Sequence, residues 1–324
     1  MRWWKKFALA AVAAAMTAGL ALAQDSYPTR PITLIVPFPP GGNNNIIARI
    51  LAEKMSEALG RQIVVDNRAG AGGTIASRAV AQSAPDGYTL LWGFSGTLAI
   101  APSLYPNAGY DVRKDFAPVG RVATSPSALI VHPSFGVSSV AELIAKAKAN
   151  PGKFNFASSG TSTVSHLSSE LFVHMAGIKM THIPYKGTGP AMTDVLGGHV
   201  PMIVVPIPVA HGNVRGGLVR ALAVTSTTRS SVLAEVPTMA EAGLPGYEAV
   251  SRYGIVAPAG TPRPIIERLN KELRAALASE DVRKRLETDG AEPMPSTPEE
   301  YATEIDREET MWSKLIKAAG IKAE

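Results

Sequence analysis

The sequence predicts an α/β protein with two domains joined by a pair of extended segments, and three observations lead to this prediction. Short apolar strands recur along the chain, and each ends in a loop rich in Gly, Ser, Thr or Asn that opens a helix. This repeat is typical of a parallel sheet with helices on its faces. Two extended stretches, 116–134 and 249–258, interrupt the repeat and are predicted to cross between the domains. A cleft between such domains can close on a small ligand.

Residues 1–23 have the composition of a secretory signal peptide. A basic start with Arg2, Lys5 and Lys6 precedes an apolar run at 7–20 and an A-x-A cleavage pattern that ends at Ala23. A membrane anchor is the alternative, but the run is short for a span of about 20 residues. Cleavage after Ala23 therefore predicts an exported protein, located in the periplasm.

The composition excludes several kinds of site and partner. The chain contains no Cys, which excludes disulfides, thiolate metal sites and a lipid-modified N-terminus. Three of the 32 Lys and Arg residues lie in the leader, so the net charge falls from +5 to +2 without it. This balance gives no argument for a nucleic-acid partner.

The first unit after the leader places a potential anion site at the start of a helix. Strand 32–36 leads through a Pro- and Gly-rich turn at 37–42 into an amphipathic helix that opens with three Asn residues and ends at Gly60. The first N–H groups of a helix lack partners inside it and carry a partial positive charge of roughly half a unit. An anion could bind there without a metal or a charged side chain.

Two more units complete the first part of domain 1, which is predicted to span 24–124. Strand 63–65, a Gly-rich loop and helix 74–82 are followed by strand 88–92, which ends in the loop 93–97. The loop at 70–75 has Ile75 where the third Gly of a dinucleotide-binding motif belongs, and no phosphate-binding P-loop is present. Nucleotide binding is therefore not predicted.

Domain 2 is predicted to span 125–248, and the chain then returns to domain 1 over 249–324. The strands predicted in domain 2 are 154–157, 180–184, 202–205 and 221–225, and its helices are 138–149, 164–176, 190–196 and 209–215. Helices 264–279 and 298–319 close domain 1. The loop 158–163 occupies the position in domain 2 that 41–45 occupies in domain 1, so a closed cleft would bring two helix N-termini towards one carboxylate.

The side chains of the strand-end loops do not form a recognisable catalytic set. Ser95 lacks the final Gly of a nucleophile elbow, and the six His residues show no metal-ligand spacing. The separation of His166 and Glu170 fits an ordinary helix pair. We therefore predict no enzyme, cofactor or metal, while a secreted hydrolase that uses Ser95 or Ser158 is the alternative from another class. For any single loop, capping and turn roles are the simpler explanation of its Ser, Thr, Asn and Gly residues.

Motifs along the whole mature chain resemble the Bug/TctC family, the periplasmic solute-binding components of tripartite tricarboxylate transporters. The motifs include PFPPGG at 37–42, NRAGAGG at 67–73, PDGYTL at 85–90, PYKG at 184–187, ALAVT at 221–225 and APAGTP at 257–262. The resemblance implies a type II periplasmic binding-protein fold, with two α/β domains, a two-strand hinge and the ligand cleft between them. It also implies an organic-acid ligand and delivery of that ligand to a membrane permease of two subunits. A sensory module that reports to a membrane receptor kinase would use the same cleft.

Three positions depart from the family pattern. Asn45 stands where the family usually has Asp, and Val205 where many members have an acid that could pair with a ligand ammonium, which argues against an amino-acid ligand. Arg252 replaces an apolar aromatic residue. If Arg252 faces the cleft, its guanidinium could hold a second carboxylate; a surface Arg is the alternative. Phe38 or Tyr253 could stack on an aromatic ligand.

The resulting prediction is a monomeric protein that binds a di- or tricarboxylate, including an aromatic dicarboxylate. Its candidate ligand-binding residues are Phe38, Pro39, Gly41, Gly42, Asn43, Asn45, Ser95, Thr97, Ser158, Ser159, Gly160, Thr161, Thr163, His166, Val205, Arg252 and Tyr253.

Overall fold

A computed structural model of the protein describes residues 27–40, 43–105, 107–161 and 163–322, without the side chain of Asn43. The predicted signal peptide lies outside the described residues, as do two predicted ligand-binding residues, Gly41 and Gly42. Within the described residues, no helix has both the length and the apolar character needed to cross a membrane.

The strands and helices alternate over most of the chain, as the sequence predicts. The strands are β1 (Ile32–Val36), β2 (Ile63–Asn67), β3 (Thr89–Phe94), β4 (Phe116–Ser125), β5 (Ser127–Val131), β6 (Asn155–Ser158), β7 (Thr181–Pro184), β8 (Met202–Pro206), β9 (Arg220–Val224), β10 (Ser251–Pro258) and β11 (Glu292–Pro293). The helices are α1 (Asn43–Leu59), α2 (Thr74–Ala81), α3 (Ala101–Leu104), α4 (Val112–Asp115), α5 (Val140–Ala149), α6 (Val164–Ala176), α7 (Thr188–Leu196), α8 (Ile207–Arg215), α9 (Arg263–Ala278), α10 (Glu280–Thr288) and α11 (Pro298–Ala319).

The strands form two separate sheets, and we call each sheet with its helices a lobe. The sheet of lobe 1 has the order β11-β4-β10-β3-β1-β2, and that of lobe 2 has the order β7-β6-β8-β5-β9. In lobe 1, β1 pairs in parallel with β2 and β3, and in lobe 2, β6 pairs in parallel with β7 and β8. Loops that follow parallel strands meet at one edge of a sheet. The predicted α/β class with two sheet-containing domains is confirmed.

Helix α1 folds because one side of it is apolar at helical spacing. Ile47, Ile50, Leu51 and Met55 are buried in the same core as Ile32 and Leu34 of β1. A Leu or Ile side chain taken out of water contributes about 1.5–3 kcal/mol, so this face fixes the helix against the sheet. The packing also fixes the turn between β1 and α1 at the edge of the sheet.

The chain crosses between the lobes in two places. Pro126 alone separates β4 of lobe 1 from β5 of lobe 2, and the second crossing joins β9 to β10. The two crossings are hydrogen-bonded to each other, since the backbone N–H of Ser127 donates to Oγ1 of Thr225 (2.9 Å) and that of Ala249 to the carbonyl of Thr225 (3.0 Å). This pairing is the geometry expected of a two-strand hinge.

The C-terminal helix α11 contacts the cores of both lobes. Tyr301 and Ile305 near its start pack with Val256 of lobe 1, whereas Trp312 and Leu315 near its end lie in a core cluster of lobe 2. Its N-terminus carries a capping box, in which Thr297 and Glu300 exchange hydrogen bonds between side chain and backbone.

Loss of this cap is expected to destabilise the protein moderately. Thr297→Ala removes the acceptor for the backbone N–H of Glu300 and should lower the free energy of unfolding by about 1 kcal/mol. Thr303→Ala, an exposed threonine on the same helix, is the matched control and should have a smaller effect. Urea unfolding followed by circular dichroism measures both; equal losses would contradict the capping role.

Helix α10 and strand β11 differ from the sequence prediction, which has only two helices after β10. Helix α10 buries just Val282 and Leu286 among its nine residues. Two apolar residues give too weak a periodic pattern to separate a helix from a polar loop.

Candidate functional site

A cavity of about 230 Å³ lies between the lobes. Its lining comes from both: Phe38, Asn44, Gly72, Phe94, Gly96, Ile100, Ala101 and Tyr105 from the lobe 1 side of the chain, and Thr161, Thr163 and Val164 from lobe 2. Most of the lobe 1 residues follow β1, β2 and β3, whose carboxyl ends meet at one edge because the strands are parallel. None of these lining residues carries a formal charge.

One side of this interlobe cavity is apolar and aromatic. The rings of Phe38 and Phe94 meet edge to face, with their centroids 4.7 Å apart and an interplanar angle of 71°. Ile100, Tyr105 and Val164 also contribute to the lining. This surface suits the hydrocarbon or aromatic body of a small ligand.

The polar side of the cavity is the loop 158–163 at the N-terminus of α6. Oγ1 of Thr163 donates to the carbonyl of Gly160 (2.7 Å) and accepts from the backbone N–H of His166 (3.3 Å), so it caps the helix. Gly160 has a φ of +132°, a conformation essentially restricted to glycine. The loop thus directs the positive end of a 13-residue helix, through Thr161 and Thr163, to the cavity.

Asparagine side chains brace the opposite loop, between β1 and α1. Nδ2 of Asn45 donates to Oδ1 of Asn67 (2.9 Å), and Nδ2 of Asn67 donates to the carbonyl of Phe38 (2.8 Å). Asn45 is buried and supports Phe38 without lining the cavity itself. Asn44 does line it, and its Oδ1 accepts from the indole N–H of Trp92 (3.1 Å).

Arg252 does not reach the interlobe cavity, which contradicts its predicted role as a clamp for a second carboxylate. Its guanidinium is buried and contacts three carboxylates: Glu304 at 3.0 Å, Glu308 at 3.3 Å and, in a shorter contact, Glu248. Oε1 of Glu304 also accepts from Arg121 (2.7 Å). We call these residues the Arg252 network. Burial raises the pKa of the Glu308 carboxyl, and Arg252 opposes this shift.

Tyr253 and Val205 lie in the cores rather than in the cavity. The ring of Tyr253 stacks on Trp92 in the lobe 1 core, with centroids 6.0 Å apart, and therefore offers no face to a ligand there. Val205 is buried among apolar residues of lobe 2. Pro39 is exposed and does not line the cavity.

Ser95 and Thr97 are buried next to the site and bond within the protein. Oγ of Ser95 accepts from the backbone N–H of Arg252 (2.9 Å), and Oγ1 of Thr97 contacts the backbone of Phe94. These bonds hold Phe94, at the end of β3, and the turn that follows it, so the contribution of Ser95 and Thr97 to the cavity is indirect.

Ser158 and His166 belong to a buried cluster on the side of the loop 158–163 that does not line the cavity. Oγ of Ser158 lies 2.6 Å from Nε2 of His182, a distance typical of a nucleophile and its base. However, Ser158 is 0% exposed and does not line the cavity, so a substrate could not reach it. Ser159 donates a hydrogen bond to Thr163 within the loop (3.3 Å).

Among the described residues, no group of three or more His, Asp or Glu is placed to hold a metal ion.

Sequence reasoning missed several residues that line the cavity, including two of its three aromatic residues. It selected Phe38, Thr161 and Thr163 but not Asn44, Phe94, Tyr105 or Val164. The only available signal was that Phe94 lies in the loop at the end of the third parallel strand.

Comparisons with known proteins agree on one family. A family model described as "Tripartite tricarboxylate transporter family receptor" matches residues 47–321. The chain is 44% identical over 311 residues to the "UPF0065 protein in tcbD-tcbE intergenic region" of Pseudomonas sp. (strain P51), covering 95% of this chain and 92% of that protein. It is 42% identical over 309 residues to "Protein BugT" of Bordetella pertussis, covering 94% and 95%.

Solved structures show the same fold. The R. palustris protein Rpa4515 with adipate has a TM-score of 0.79 at 39% identity, covering 91% of this chain and 99% of that one. MatC from Rhodopseudomonas palustris with bound malate has a TM-score of 0.76 at 35% identity, covering 90% and 100%. The periplasmic binding protein BugD has a TM-score of 0.76 at 38% identity, covering 92% and 100%.

Proposed function

The chain belongs to the tripartite tricarboxylate transporter receptor family, and from this premise we propose that it binds a small organic acid in the interlobe cavity and delivers it to a two-subunit membrane permease. The family and its solved members are periplasmic solute-binding proteins. We further propose that export depends on the signal peptide at 1–23, with cleavage after Ala23.

One observation supports this proposal most strongly: the capped N-terminus of α6 meets the cavity opposite the loop between β1 and α1. A carboxylate there would accept hydrogen bonds from the backbone N–H groups and hydroxyls of the loop 158–163, with Thr161 and Thr163 at the surface of the cavity. Hydrogen bonds to a charged partner contribute about 1.5–3 kcal/mol each. The candidate residues Gly41 and Gly42 and the side chain of Asn43 lie outside the described residues.

We propose a dicarboxylate as the ligand class. Two relatives that share more than a third of their residues with this chain hold adipate and malate, which are both dicarboxylates. Since Arg252 is engaged elsewhere, the distal carboxylate would rely on neutral groups at the cavity, Asn44 and the Tyr105 hydroxyl, and on water. The Phe38–Phe94 pair supports the extension to aromatic dicarboxylates.

Isothermal titration calorimetry with adipate, malate, terephthalate, benzoate and aspartate tests this proposal. We expect binding of at least one dicarboxylate and weaker binding of benzoate, which lacks the distal group. Tight binding of aspartate would contradict the argument from Val205, and no binding of any acid would contradict the proposed function. Turnover of an ester by the purified protein would favour the hydrolase alternative.

Phe94 is expected to determine affinity for aromatic acids. Phe94→Leu removes an aromatic ring from the lining of the cavity. Because an aromatic pair contributes about 0.5–1.5 kcal/mol beyond its buried area, the variant should weaken terephthalate binding several-fold more than adipate binding. Phe154→Leu is the matched control, because Phe154 forms a similar pair with Phe135 (5.0 Å) away from the cavity. Calorimetry measures both variants. Equal losses for the two acids would show that Phe94 only shapes the cavity.

A further inference from the structure

We propose that the stacked imidazoles of His166 and His182 form a proton-linked support for the loop 158–163, so that carboxylate binding takes up a proton and strengthens as the pH falls. This inference rests on the proposed function, because it concerns the same anion site. It assigns a positioning role to two residues that do not line the cavity.

The two imidazole rings are held in contact inside lobe 2. They lie 3.8 Å apart between centroids with an interplanar angle of 11°, and both stack on the ring of Phe156, at 6.4 Å for His166 and 5.1 Å for His182. His166 is only 4% exposed. It follows Thr163 in the first turn of α6, and its backbone N–H is the group that Thr163 caps.

Ser158 connects the imidazole pair to the loop. Its Oγ lies 2.6 Å from Nε2 of His182, 3.1 Å from the carbonyl of Gly160 and 3.2 Å from the N–H of Gly160. With a neutral His182 that accepts at Nε2, the hydroxyl proton of Ser158 points to the imidazole. With a protonated His182, Nε2 donates to Oγ, and the hydroxyl proton is released to the Gly160 carbonyl. In this tautomer, protonation reverses the hydrogen bond between His182 and Ser158 and lets the Ser158 hydroxyl donate to the Gly160 carbonyl.

A carboxylate lies beside the imidazole pair. Oε1 of Glu170, on the same helix, lies 3.6 Å from Nε2 of His166. Strand β6 presents Phe156 and Ser158 to the pair, and β7 presents His182 itself. Two imidazolium rings stacked 3.8 Å apart would repel each other, so in our proposal the pair carries no more than one positive charge.

The direction of the pH effect on carboxylate affinity follows from the thermodynamic linkage between proton binding and anion binding. A positive charge behind the loop attracts an anion in the cavity, and the anion in turn favours the protonated pair by the same factor. Histidine is the side chain whose ordinary titration falls between pH 5 and 8. Carboxylate affinity should therefore rise as the pH falls through this range.

Calorimetric titration of the full mature protein with adipate, malate and benzoate, at pH 6 and pH 8, tests the inference. These acids remain largely ionised at both values, since carboxyl groups titrate below pH 6, and benzoate has no second carboxyl whose titration could contribute. We expect affinity about fivefold higher at pH 6, the lower end of typical coupling between linked sites. Repeating the titration at pH 6.5 in two buffers of different protonation enthalpy should show net proton uptake on binding.

Variants separate this role from a purely structural one. His182→Gln keeps a hydrogen-bonding group near Ser158 but cannot titrate, so the pH dependence and the proton uptake should disappear even if the affinity also changes. His166→Gln is a second test if the first variant does not fold. His174→Gln, an exposed histidine of the same helix, should retain both effects.

The outcomes distinguish this inference from the proposed function. Binding with equal affinity at both pH values, or without proton uptake, overturns the inference and leaves the binding function intact. The inference is also overturned if the affinity still depends on pH in both His182→Gln and His166→Gln. If none of the three acids binds at either pH, the proposed function is overturned and the inference with it.

Discussion

Replacement of Arg252 by Met is expected to lower the free energy of unfolding by about 3–5 kcal/mol, the range measured when one partner of a buried ion pair is removed. The variant would leave Glu304 and Glu308, which are 11% and 5% exposed at their side chains, without their guanidinium. Because these carboxylates are on α11 and Arg252 is on β10, the variant should weaken the packing of α11 against the sheet of lobe 1. Guanidinium chloride unfolding measures the loss.

A matched control is available in Arg307, which also contacts the Arg252 network. Arg307 is 62% exposed and lies 3.6 Å from Glu248 and 4.0 Å from Glu304. Arg307→Met should cost less than about 1 kcal/mol, as is usual for exposed ion pairs. If Arg252→Met is stable but no longer binds dicarboxylates more tightly than monocarboxylates, the result would support a role for Arg252 in holding the second carboxylate of the ligand.

The loss caused by Arg252→Met should depend on pH in a defined direction. Burial raises the pKa of Glu308 in the folded state above its ordinary value of 4.5, which applies to the unfolded state. Between the unfolded and the folded pKa, the folded protein therefore holds more protons than the unfolded chain. Stability then falls as the pH rises through that window. Arg252 lowers the pKa of Glu308, and its removal should widen the window. The difference between variant and wild type should therefore shrink from pH 8 towards pH 4.5.

Gly160→Ala is expected to weaken carboxylate binding by about tenfold or more. At a φ of +132°, a residue with a Cβ is strained by about 1–3 kcal/mol, and that Cβ would lie 3.3 Å from the carbonyl oxygen of Tyr185. The loop should relax to another conformation, in which Thr161 and Thr163 no longer line the cavity in the same way. Calorimetry with adipate and malate measures the effect.

Gly177→Ala provides the control for strain alone. Gly177 ends the same helix at a φ of +60°, and an added Cβ there meets no atom within 4 Å. This change should lower stability by roughly 1 kcal/mol and leave affinity unchanged. Comparable losses of affinity in both variants would mean that the conformation of the loop 158–163 is not what determines binding.

Elements with strong local signals could be predicted from the sequence. The bounds of β1, α6 and α11 agree with the prediction, because each combines a periodic apolar pattern with a clear start or stop, such as Thr163 before α6 and Gly320 after α11. The family resemblance drawn from short motifs is also confirmed.

The residues of the site were harder to predict because their partners are distant in the sequence. Arg252 looked available for a ligand, but Glu304 and Glu308 lie 52 and 56 residues later, on a helix whose packing decides the outcome. Tyr253 is next to Arg252 in β10, and alternation along a strand sends its ring to the lobe 1 core. Whether a polar or aromatic side chain faces a cleft thus depends on tertiary contacts that a local pattern does not contain.

The hydrogen bond from the Trp92 indole to Asn44 gives the protein an intrinsic optical probe of its own cavity. The chain has four Trp residues, and Trp3 and Trp4 precede the predicted cleavage site, so cleavage there would leave Trp92 and Trp312 as the Trp fluorophores. The indole N–H of Trp312, in the lobe 2 core, donates to Glu308 of the Arg252 network, and both indoles are fully buried. We therefore expect the emission of Trp92 to change when a ligand occupies the cavity, and that of Trp312 to change if the contacts of Glu308 change, without any attached dye.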